Sequence, residues 1–205
     1  MESRDLARFG AWDWFRRFCE LYDSSASSML TELGLFYDRH RKFSEYGQRS
    51  DPGDSQYTDE EWKRVMATML GELAGNLGLV QAPDWEVRSQ LEWFLPGVAD
   101  KPMVVIRETP DATSAILTRD LAELAGLGSE LTVFLMYPDY PLPAGVSTYE
   151  GAIRAWRELI EHRLAEILPK REMLALMISA YSFDLPAPWQ GFVWNPSTRS
   201  LEAAR

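Results

Sequence analysis

The chain contains one cysteine, Cys19, and two histidines, His40 and His162, in 205 residues. A single thiol excludes an internal disulfide and is compatible with a reducing cytoplasm, where this chain is expected to reside. The histidines fall in an expected loop and an expected helix with no acidic or cysteine partner at ligand spacing, so a zinc site is not expected. Long apolar runs are also missing. The run "LALMISA", Leu174 to Ala180, is far shorter than the ~20 residues that cross a bilayer and reads as a buried strand. The start, "MESRDLARFG", lacks a basic segment followed by an apolar one, so no secretory signal is expected. No glycine-rich loop with a following Lys-Ser/Thr occurs, and the glycines of "GELAGNLG" fall inside a helix pattern, which argues against a nucleotide-binding loop. Positive charge is scarce. With 21 Lys and Arg against 31 Asp and Glu, the net charge is −10, which repels polyanions and disfavours nucleic acid as a partner without excluding a local basic groove.

A content of 46% hydrophobic and 12% aromatic residues is enough for a substantial core. The organisation expected is a helical extension and loop over residues 1–50 followed by an α/β core over residues 51–205, in one structural domain. Within Asp5 to Tyr22, residues Leu6, Phe9, Phe15, Phe18, Leu21 and Tyr22 recur at helical spacing. Ser25 to Tyr37 reads as a second helix, and the basic, turn-rich segment after it, with Arg39, Arg41, Lys42 and Arg49, as a loop. The letters "TDEE" then announce a capping box through Thr58 and Glu61. They precede an apolar stripe of Trp62, Val65, Met66, Met69, Leu70, Leu73 and Leu77, with Gly78 placed to end the helix.

Short extended stretches follow at Trp85–Arg88, Gln90–Leu95 and Met103–Glu108, the last two separated by the turn formers of "PGVADKP". A helix is expected from about Thr118 to Gly126. Next come a continuously apolar strand at Leu131–Tyr137, a helix opened by "STYE" and ending near Pro169, and strands at Leu174–Tyr181 and Gly191–Trp194. This succession predicts an α/β fold with a mixed central β-sheet flanked by helices and an N-terminal helical extension.

From about Thr58 to Tyr181 the order of elements, and the letters "LGLV", "WEVR", "LEWF" and "VVIRET", resemble the restriction-endonuclease-like, or PD-(D/E)xK, superfamily. The resemblance implies an acidic helix preceding a hairpin whose carboxylates hold Mg²⁺ or Mn²⁺ for phosphodiester hydrolysis. Its aspartate falls on Glu92, which has one extra methylene. Its (D/E)xK element falls on Ile106 to Thr109, with Arg107 at the acidic position and Thr109 at the lysine position. A guanidinium does not ligate Mg²⁺. Moving the register by one residue recruits Glu108 but exchanges the two faces of the strand and puts Pro110 where lysine is wanted.

The resemblance therefore implies a degenerate acidic site and a protein that binds rather than hydrolyses, with no cofactor. The competing reading is a divergent Mg²⁺-dependent nuclease with Glu92 and Glu108 as the catalytic pair and Glu72, Glu92 and Glu108 as metal ligands. Each of these glutamates, like Glu86, also reads as an ordinary solvated or salt-bridged residue. A third reading is a protein-interaction module, binding an unknown protein partner or forming a homodimer through its aromatic residues. Trp189, Phe192 and Trp194 would stack bases or anchor a partner if exposed and serve the core if buried. Cys19, on the aromatic stripe of the first helix, reads as a structural thiol. "YPDYPLPAG", Tyr137 to Gly145, follows a central strand and is either a binding loop or a rigid connector.

Overall fold

A computed structural model of the chain describes residues 10–26, 64, 66–82, 90–98, 101–109, 114–136, 149–169, 171–177 and 189–204. The expected second helix beyond residue 26, the basic loop, the capping box at 58–61, the strand at 85–88 and the stretch 137–145 lie outside them.

Seven strands form one mixed sheet in sequence order: β1 Val80–Gln81, β2 Gln90–Phe94, β3 Val104–Thr109, β4 Leu131–Met136, β5 Glu172–Met177, β6 Gln190–Asn195 and β7 Ser200–Ala203. The three central strands β3, β4 and β5 run parallel, and an antiparallel meander extends each side. Parallel neighbours need crossovers, supplied here by α3, Ser114–Gly126, and α4, Tyr149–Ile167. Both crossovers step the same way across the sheet, so the preference for one hand puts both helices on one face. Helices α1, Ala11–Leu21, and α2, residues 66–76, cover the other. The chain is thus an α/β protein with a mixed sheet flanked by helices, as its sequence pattern predicts.

Strand alternation divides the core. Leu91, Trp93, Val104, Ile106, Val133, Leu135, Leu174 and Leu176 meet α1 and α2 in one apolar cluster. Val105, Phe134, Met136, Met173, Ala175, Met177 and Trp194 meet Leu117, Leu121 and Leu124 of α3 and Ile153, Trp156, Ile160 and Leu164 of α4 in the other. The α2 stripe of Met66, Met69, Leu70, Leu73 and Leu77 is buried as expected, and Gly78 ends that helix at φ 69°.

Helix α1 is an integral part of this arrangement. Its first free amide, Ala11 N–H, donates to Glu172 Oε2 at 2.9 Å, so a carboxylate at the start of β5 does the work of a local cap. Along its buried side Trp14 stacks on Phe18 at 5.2 Å and tilts against Trp93 at 5.9 Å, while Trp189 meets Phe18 edge-on at 5.1 Å. Gly191 of β6 is required where the helix crosses. A Cβ there would lie 2.9 Å from the Ala204 methyl and 3.0 Å from the Phe15 ring.

The differences from the sequence expectation have local causes. Helix α3 begins at Ser114 rather than near Thr118, because Leu117 belongs to its buried stripe. Strand β5 starts at Glu172 rather than Leu174. Strands β1 and β7, with two and four residues, are too short to show a period of their own. Among the described residues no helix is long and apolar enough to cross a membrane.

Candidate functional site

The hairpin β2–β3 decides where the sequence-predicted carboxylates go. Glu92 stands opposite Val105, Leu91 opposite Ile106 and Gln90 opposite Arg107. Residues directly opposite share a face, so Glu92, Val105 and Arg107 look towards α3, whereas Ile106 and Glu108 look towards α1 and α2. Glu92 is half-buried and Glu108 is buried, with 4% of its surface exposed. The sheet does not bring them together: an even offset would have been needed, and the register between them is odd. Glu72, on α2, is exposed on the side of the sheet away from Glu92. Among the described residues no three of His, Cys, Asp and Glu are grouped so as to hold a metal ion.

The face that Glu92 occupies carries a different constellation. Arg107 extends beneath α3, where its Nη1 donates to Asp120 Oδ1 at 3.4 Å and to Glu123 Oε2 at 2.8 Å. Asp120 is itself buried, with 6% exposure, and accepts two further bonds at 3.2 Å from Nε and Nη2 of Arg119. Glu92 is the diagonal neighbour of Arg107 across the hairpin, a separation of about 7–8 Å that long side chains can span. The hydrogen bond from Arg107, and then its charge, hold the Glu123 carboxyl below the usual glutamate value of 4.5. A guanidinium in this position binds carboxylates and offers no lone pair to a metal. The arrangement can orient and neutralise acids. It supplies neither a general base nor a metal cradle.

Asp120 is the residue that sequence reasoning passed over. Its signal was present: in "LTRDLAEL" it lies three positions after Leu117 and four before Leu124, within the stripe that α3 buries. A carboxylate in a buried stripe needs partners for its charge, and Arg107 of β3 supplies one beside Arg119 of the same helix.

The remaining candidates serve packing. Trp189, Phe192 and Trp194 are all buried. Cys19 is half-buried, and burial, followed by the nearby Asp23 and Glu20 carboxylates, pushes its thiol up to about 12, far from a nucleophile's range. His162 has an acidic neighbour after all: Nε2 lies 3.3 Å from Glu166 one helical turn on, as an exposed pair.

A second ionic group fastens the opposite end of the parallel strands. Lys101 Nζ donates to Glu130 Oε1 at 2.6 Å, and Arg171 Nη1 donates to Glu130 Oε2. Glu130 thereby ties together the chain leading into β3, β4 and β5, and the Lys101 hydrogen bond is the main reason its carboxyl sits below 4.5.

No family model matches this chain, and no curated protein matches it.

Proposed function

We propose that the chain is a cytoplasmic binding protein on a restriction-endonuclease-like scaffold whose acidic site is degenerate, acting on a protein partner rather than hydrolysing a phosphodiester. The observation that carries the reading is Arg107, engaged with Asp120 and Glu123 on the strand face that Glu92 shares, where the resemblance would place a metal-binding carboxylate. The order α2, antiparallel β1–β2–β3, crossover helix α3 and parallel β4 supports the scaffold assignment. Hydrolysis on this face would need carboxylates free to accept a divalent ion, and the guanidinium competes for those carboxylates.

Calorimetric titration of Mn²⁺ into the wild-type chain and into Glu92→Ala tests this. No saturable heat is expected from either, and no cleavage of single-stranded or duplex DNA with Mg²⁺ or Mn²⁺ present. Saturable Mn²⁺ binding that disappears in Glu92→Ala would overturn the reading in favour of the nuclease.

A further inference from the structure

Three buried polar atoms lie where α1, α2 and the β1–β2 pair come together. Trp14 of α1 and Trp93 of β2 are each 0% exposed, and neither indole Nε1–H has a hydrogen-bond acceptor among the described residues. Oε1 of Gln81 in β1 is buried too, and it has no donor among them.

The register gathers the three. Gln81 stands directly opposite Trp93 across the antiparallel pair, so both side chains leave the same face of the sheet with Cβ atoms about 5 Å apart. The Trp14 ring meets the Trp93 ring at 5.9 Å between centroids, tilted by 34°. Helix α2 closes over the amide, since a Cβ on Gly71 would lie 3.7 Å from Gln81 Oε1. An indole N–H only donates and an amide oxygen only accepts, yet the two kinds are not joined directly. A polar group taken from water without a replacement partner is costly, and here two donors and one acceptor are taken out together.

That combination specifies what lies between them. The occupant accepts from two N–H groups and donates to one carbonyl oxygen. A carboxylate, a phosphate or a halide accepts but has no proton for Gln81. An ammonium group or a divalent cation has no lone pair for an indole. A hydroxyl-type oxygen does both, and the complete burial of both indoles leaves no opening on their side for a larger alcohol. We propose that a buried water molecule bridges α1 to the β1–β2 pair, accepting from Trp14 and Trp93 Nε1–H and donating to Gln81 Oε1. Three such partners are usual for an internal water. The bridge gives β1, a strand of two residues with little ladder of its own, a tie to a helix that it does not pair with. The inference does not depend on whether the Glu92 face binds metal.

Water-selective nuclear Overhauser spectroscopy on the isotope-labelled full chain tests it, with the indole signals assigned through Trp14→Phe and Trp93→Phe. Both Nε1–H protons are expected to show cross-peaks to water, with the sign given by a molecule held for longer than the protein takes to tumble. Gln81→Leu removes the acceptor at similar volume, so both cross-peaks should vanish while the methyl signals of Val133 and Leu174 in the same core keep their positions. Should that variant disturb the core, Trp14→Phe provides an independent reading: with one donor gone, the water cross-peak at Trp93 should weaken severalfold. Absence of a water cross-peak at both indoles of the wild-type chain would overturn the proposal, and so would a cross-peak at Trp93 that neither substitution changes.

Discussion

Arg107 shows how much a single position can carry and how little of that is visible along the chain. Its chemistry was legible: a guanidinium in "VVIRET" cannot serve as a metal ligand whatever surrounds it. Its partners were not, because Asp120 is thirteen residues away on a helix whose rotation over the sheet no local pattern specifies. The two ion pairs of Arg107 also separate distance from energy. Glu123 is closer, at 2.8 Å, but its side chain is 54% exposed, whereas Asp120 sits at 3.4 Å with 8% of its side chain exposed. Solvent screens the first contact and hardly touches the second. In double-mutant cycles read by urea unfolding, Arg107 and Asp120 should therefore couple more strongly than Arg107 and Glu123. Arg107→Ala should cost about 1–3 kcal/mol, since it leaves a buried carboxylate leaning on the exposed Arg119. Equal coupling for both pairs would mean that Asp120 is better hydrated than its burial implies.

At the scale of elements, long periodic stretches were legible and edges were not. The stripes of α2 and α4 and the apolar run of β4 each repeat often enough for periodicity to identify them. Strand β7 has four residues, and the only hint of it is the turn chemistry of "NPSTR", where Asn195 Oδ1 accepts from Ser197 N–H at 2.9 Å and Arg199 takes φ 54°. An edge strand exposes backbone groups that recruit other strands. Helix α4 blocks that route. Arg157 Nη2 donates to Leu201 O at 2.6 Å and Glu161 Oε2 accepts from Leu201 N–H at 3.2 Å, so the outward groups of Leu201 are both occupied. Arg157 also lies over the Phe192 ring at 5.2 Å. Replacing Arg157 and Glu161 together by alanine should remove about 1–3 kcal/mol, two net hydrogen bonds. It should also raise light scattering on prolonged incubation as the edge pairs with other chains. Unchanged scattering would show that the shortness of β7 is protection enough.

Across the whole molecule, the fold class could be read because it depends on the order and type of elements, while the arrangement of the acidic residues depends on a register that the sequence leaves open by one residue. That single residue sends Glu108 to the α1 face and leaves Glu92 with Arg107. The same dispersal governs the acid response. Glu123, Glu130 and Glu166 are each held below the ordinary value of 4.5, chiefly by hydrogen bonds from Arg107, Lys101 and Arg163 in turn. A carboxylate depressed in the folded state favours folding at pH values above its unfolded value, and that contribution disappears as pH falls through the folded value. Against this, loss of negative charge towards the isoelectric point near 4.8 relieves repulsion in a chain of net charge −10. The two effects act in successive windows. The urea midpoint should hold or rise slightly on acidification to about pH 5 and fall below about pH 4.5, where the paired glutamates take up protons. Lys101→Met removes the largest influence on Glu130, so the fall below pH 4.5 should be shallower in that variant, and added salt should shrink the difference between the two because the pair is largely exposed. An acid limb equally steep in both proteins at low salt would show that Glu130 is not what Lys101 holds in solution, and that the tie between the starts of β3, β4 and β5 rests on Arg171.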